Sequence, residues 1–79
     1  MEWKEENNAL VKTFTFKTFA GAMAWMVKAA FEIEKLNHHP EWTNVYNRVT
    51  VKLSTHDAGN TVTPKDRQLA EVLDNIAVA

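Results

Sequence analysis

The sequence predicts an α+β fold: two layers in the order ββαββα, a four-stranded antiparallel sheet with both helices on one face. Three observations carry this expectation. Residues 3–16 and 42–55 are each rich in β-branched and aromatic side chains and each broken once by a turn signal. A long apolar helical stretch lies between them, and a shorter amphipathic one closes the chain. Two hairpins separated by one helix and followed by another suit an antiparallel sheet covered on a single face. At 79 residues, with no repeat, low-complexity run or linker, the chain is one domain, 1–79.

The elements follow in order. Trp3–Glu6 is a short strand, and Asn7-Asn8 a tight turn, because asparagine tolerates positive φ. Leu10–Phe16 is a second strand, with Leu10, Phe14 and Phe16 on one face and Val11, Thr13 and Thr15 on the other. Thr18 offers an N-cap for a helix ending near Asn37. Phe19, Met23, Met26, Val27 and Ala30 form one apolar stripe, expected to face the sheet; Trp25, Ala29 and Leu36 form a second. Two apolar faces need two partners, the sheet and another subunit, so a homodimer or homotetramer is expected. Lys28, Glu32 and Lys35 make the polar patch and are spaced to pair.

Pro40 is expected to end that helix and to keep His39 extended. Strands follow at Trp42–Tyr46 and Arg48–Thr55, the second alternating Val49, Val51 and Leu53 with Thr50, Lys52 and Ser54. Asp57–Asn60 is a loop. Thr63-Pro64-Lys65-Asp66 starts the closing helix with a cap, a proline at the first position and an acid at the third. Leu69, Val72, Leu73 and Ile76 give its buried stripe.

Composition removes several function classes. The absence of cysteine excludes disulfides and agrees with a reducing compartment. A formal charge of -1 gives no bulk attraction to nucleic acid or an acidic membrane, and there is no basic stripe interleaved with aromatics. Phe19–Phe31 is too short to span a bilayer and carries Lys28, and no apolar signal core follows Met1. The expected location is the cytoplasm.

The chemistry lies with three histidines. His38 and His39 stand in Glu34-Lys35-Leu36-Asn37-His38-His39-Pro40-Glu41-Trp42, and His56 in Ser54-Thr55-His56-Asp57-Ala58-Gly59. Imidazole changes charge near neutral pH, so such a cluster points to proton transfer. Adjacent histidines reach one ligand only from a bend, which Pro40 supplies. The bland alternative is an exposed pair at a helix C-terminus, where positive charge is favoured. Glu34 falls in line with the stripe expected to face the sheet, so it needs a partner, and His38 lies one turn on. Asp66, three residues after Thr63, reads first as a helix cap. Trp42 is either core or a platform for a flat ring. Three histidines and a carboxylate are acceptable zinc ligands by type, but no H-x-x-x-H or H-x-H spacing presents two of them together. No metal or other cofactor is expected.

The run E-K-x-x-H-H-P, then Tyr46-Asn47, then S-T-H-D-A-G, resembles the pterin-4a-carbinolamine dehydratases, and the likeness extends from about Trp3 to Leu73. The resemblance implies the same ββαββα arrangement, without the N-terminal helix usual in that family. It implies a lyase that dehydrates 4a-hydroxytetrahydropterin to quinonoid dihydropterin, recycling the cofactor of an aromatic amino acid hydroxylase. His38, His39 and His56 are then the catalytic candidates, with Glu34 orienting one of them. Pro40, Trp42, Ser54, Thr55 and Asp66 are the supporting or substrate-binding residues. Relatives often carry aspartate where this chain has Asn37. Some members also serve as a dimerisation cofactor of a transcription factor, so a non-catalytic binding module is the alternative.

Overall fold

The computed structural model describes residues 2–77, with strands β1 (Lys4–Glu6), β2 (Ala9–Thr15), β3 (Glu41–Val45) and β4 (Arg48–Leu53) and helices α1 (Phe19–Leu36) and α2 (Pro64–Ala77). The strands form one antiparallel sheet in the order β1-β2-β4-β3. The α+β, ββαββα expectation holds, with the element ends moved by a residue or two. Among the described residues no helix precedes β1.

Register explains which face is buried. Leu10 lies opposite Leu53, Lys12 opposite Val51 and Phe14 opposite Val49, so these side chains project together toward the helices. Asn7 and Asn8 both take positive φ (51° and 62°), the geometry that lets a two-residue turn follow the twist of β1 and β2. The opposite face stays polar, with Thr13 and Thr50 hydrogen-bonded at 3.1 Å. On α2 the buried residues are Asp66, Leu69, Ala70 and Leu73.

The long helix sits the other way round from the sequence expectation. Its buried residues are Ala22, Trp25, Ala29 and Ile33, while Phe19, Met23, Val27 and Phe31 are exposed. Of the stripe expected against the sheet, only Met26 packs on the core. Trp25 decides the rotation. Its ring lies 4.5 Å from that of Phe14, 5.5 Å from Phe16 and 6.3 Å from Trp42, an aromatic cluster that fixes this face of the helix against the sheet. Ala22 and Ala29, a turn away on either side, let the backbone approach closely enough for the ring to seat. Trp25 Nε1 is buried with no hydrogen-bond partner among the described residues, a cost of about 1–3 kcal/mol that the packing offsets.

The ends of α1 follow local chemistry. The Thr18 hydroxyl accepts from the Gly21 N–H at 2.9 Å, as expected of an N-cap. The other end closes at Asn37, left-handed at φ 50°, three residues before Pro40. Pro40 therefore follows the stop and does not make it. Lys35 pairs with Glu32 at 3.6 Å, while Lys28 makes no ion pair among the described residues.

Candidate active site

The end of α1, the end of β4 and the start of α2 meet at one corner of the sheet. There Asn37, His38, His39, Ser54, Thr55, His56, Asp57 and Lys65 line a cleft of about 230 Å³. All three histidines are in it, although a whole hairpin, β3 and β4, separates the pair from His56 in the chain.

Asp66 organises the wall behind them. Its side chain is wholly buried, and its Oδ1 accepts from His38 Nε2 at 2.5 Å. Its Oδ2 accepts from the Thr55 hydroxyl at 2.7 Å and from the Thr63 N–H at 2.9 Å. Thr55 gives its single proton to Asp66, so the Thr63 hydroxyl donates to Thr55 Oγ1 at 2.6 Å. The capping role expected of Asp66 is present, since it accepts from the Thr63 N–H, a donor at a helix start that has no partner within the helix. It is only one of three duties. Burial pushes the Asp66 carboxyl up, but the bonds from His38, Thr63 and Thr55, with the charge of His38, outweigh it and hold the group below its ordinary value of 3.8.

A carboxylate that only accepts fixes the imidazole facing it. His38 must carry its proton on Nε2, which leaves Nδ1 to exchange a proton with a ligand. His38 is itself largely buried, its side chain 11% exposed, so the ring is held by packing as well.

Glu34 departs from expectation. Its side chain is 79% exposed, because the rotation of α1 that buries Trp25 turns it outward. Its partner is His39, Nε2 to Oε1 at 3.2 Å, not His38. His56 opens a 3-10 turn, His56–Ala58, with its side chain 90% exposed and Nδ1 3.5 Å from its neighbour Asp57. Thr55 and Thr61 bridge the base of this loop. Trp42 packs against Trp25 and does not line the cleft, and Pro40 is half-buried outside it. Ser54 lines the cleft. The sequence reading missed Lys65 and Asp57 as cleft residues. Their adjacency to Asp66 and His56 was the available signal. Among the described residues, no group of three His, Cys, Asp or Glu side chains is arranged to hold a metal ion.

The chain's similarities now have a site to refer to. The family model described as pterin 4 alpha carbinolamine dehydratase matches residues 1–76. The chain belongs to that family. A protein of Opitutus terrae, named "Putative pterin-4-alpha-carbinolamine dehydratase", is 59% identical over 75 residues, 95% of this chain and 77% of that one. A protein of Rhizobium meliloti with the same name is 55% identical, covering 92% and 69% respectively. The crystal structure of a transcriptional coactivator/pterin dehydratase from Brucella melitensis superposes with a TM-score of 0.89 at 44% identity, over 95% of this chain and 81% of that one. A pterin dehydratase-like protein described as a RuBisCO assembly factor in the alpha-carboxysome reaches 0.84 at 22% identity, over 98% and 90%, which shows the shared fold alone. No helix among the described residues is long and apolar enough to cross a membrane.

Proposed function

We propose that this protein is a hydro-lyase that converts 4a-hydroxytetrahydropterin to quinonoid dihydropterin, in the recycling of a tetrahydropterin used by an aromatic amino acid hydroxylase. One observation carries the reading: His38, His39 and His56 line one cleft, and His38 is anchored from behind by a buried carboxylate. Hydroxide leaves carbon poorly and water leaves well, so the 4a-hydroxyl needs a proton as its bond breaks. Ring nitrogen N5 stabilises the cation left behind, and loss of a ring proton to a base completes the elimination of one water. An imidazolium and a neutral imidazole supply both steps near pH 7. His38, through Nδ1, and His56, through Nε2, are the acid and base, in roles that can be exchanged. His39, tied to Glu34, binds the substrate and accepts a proton. None of these steps calls on a cofactor.

The test is direct. The carbinolamine is generated in situ and its ultraviolet decay followed with and without the protein, before and after dialysis against a chelator. Acceleration that survives dialysis is expected. A decay unchanged by the protein overturns the proposal, and a rate lost on dialysis and restored by zinc overturns the metal-free mechanism.

A second reading, that of a protein-binding module of the coactivator type, is favoured by the face of α1 turned away from the sheet. Phe19, Met23, Val27 and Phe31 recur every fourth residue and are all exposed. Such a stripe marks a contact surface. The simplest occupant is the same stripe of a second copy, which gives a homodimer or homotetramer compatible with catalysis. Sedimentation equilibrium at micromolar concentration is expected to show a species at least twice the 9.0 kDa chain, and Phe31→Glu to shift it toward monomer. A monomer alone at that concentration overturns the oligomer.

A further inference from the structure

Lys65 stands where a lysine is unfavourable for the fold. It is the second residue of α2, in the first helical turn, where the positive end of the helix dipole disfavours a cation. It is exposed, and no carboxylate among the described residues pairs with it. Asp57 lines the same cleft but pairs with His56. Apart from the histidines, Lys65 is the only basic side chain lining the cleft among the described residues. A cation that neither the helix nor a neighbour stabilises, set at the rim of a cleft, is placed for a ligand.

We propose that Lys65 makes the cleft selective for pterins whose C6 substituent carries a negative charge, a carboxylate or a phosphate. The inference rests on the pterin reading above and names a substrate class within it. Two further considerations place the anion on the substituent and not on the ring. The cleft, at about 230 Å³, is below the usual range for drug-sized ligands, so a bicyclic ring fills it and the substituent projects over the rim. Loss of water also builds positive charge on the ring, which a fixed ammonium beside it would oppose. Paired with an anion of the substrate, Lys65 has no such effect.

Binding of inert, fluorescent pterins tests this without any turnover. Pterin-6-carboxylate, 6-hydroxymethylpterin phosphate, 6-methylpterin and 6-aminomethylpterin are titrated into the full chain at low ionic strength. For an exposed ion pair, the anionic pterins are expected to bind up to about fivefold more tightly than 6-methylpterin. The gain should shrink in 0.5 M salt and disappear in Lys65→Met. The anion giving the larger gain identifies the natural group. Equal binding of the carboxylate and methyl compounds, tighter binding of the amine, or a preference that survives in Lys65→Met overturns the selectivity while leaving the pterin reading intact. If none of the four binds, the pterin reading falls and the selectivity with it.

Discussion

Replacing His38 with alanine is expected to lower turnover of the carbinolamine by about 10²-fold or more, the scale of a lost acid–base group. His56→Ala should do the same, and His39→Ala should chiefly raise the Michaelis constant. The asymmetry follows from the surroundings of each ring. His38 is largely buried and bonded through Nε2 to Asp66, so its ring is held in one place at the cleft. His56 is exposed and stands on a 3-10 turn of its own. His39 is tied to an exposed glutamate, and an exposed pair of this kind contributes little to stability. The His39 and His56 variants should fold as the wild type does, because both rings are exposed, whereas His38→Ala also costs stability by removing a partner of the buried Asp66 carboxylate, so its turnover is read on the folded fraction. If all three keep wild-type turnover, the acid–base assignment is wrong and the binding-module reading replaces it.

Asp66 should be the most costly residue of the site to change. Asp66→Ala leaves the His38 Nε2–H, the Thr55 hydroxyl and the Thr63 N–H without their common acceptor. Breaking a buried charged network in this way costs about 3 kcal/mol. In a domain this small that corresponds to a fall in Tm of more than about 10 °C. Asp66→Asn separates stability from chemistry. The amide keeps the volume and one acceptor oxygen, but its NH2 meets a donor, so either His38 loses its Nε2 tautomer or Thr55 loses its acceptor. Turnover should fall by at least 10-fold while most of the stability remains, and the pH–rate profile should change shape, which a purely structural role would not produce.

The sign of the acid dependence follows from the same carboxyl. Its folded-state pKa lies below the ordinary 3.8, so the native state binds its proton less readily than the unfolded chain. The stability it contributes is therefore complete above about pH 4 and lost as pH falls through the lowered folded value. Denaturant titrations at pH 6 and pH 3 should differ for the wild type, and by less for Asp66→Asn. Equal acid sensitivity in the two proteins would remove Asp66 as the source.

Short-range chemistry was enough to read the order of elements, the strand faces and both helix starts. Asn7-Asn8 announces a turn, Thr18 and Thr63 announce helices, and Val49, Val51 and Leu53 alternate because a strand shows every second side chain to the same side. The histidine pattern was legible for a different reason, as a likeness carried by neighbouring residues. What stayed hidden was every choice between two locally acceptable answers. Helix α1 has two apolar stripes, and periodicity cannot say which one the sheet takes. Trp25 decides it only because Phe14 and Phe16 from the end of β2 and Trp42 from β3 come together to form its pocket. That one rotation turns Glu34 outward to His39 and leaves His38 for Asp66, 28 residues away. The capping bond of Asp66 is legible three residues after Thr63, but its bonds to His38 and Thr55 are not. Tertiary structure alone supplies these, because hydrogen-bond partners are set by distance in space, and the chain records only distance along itself.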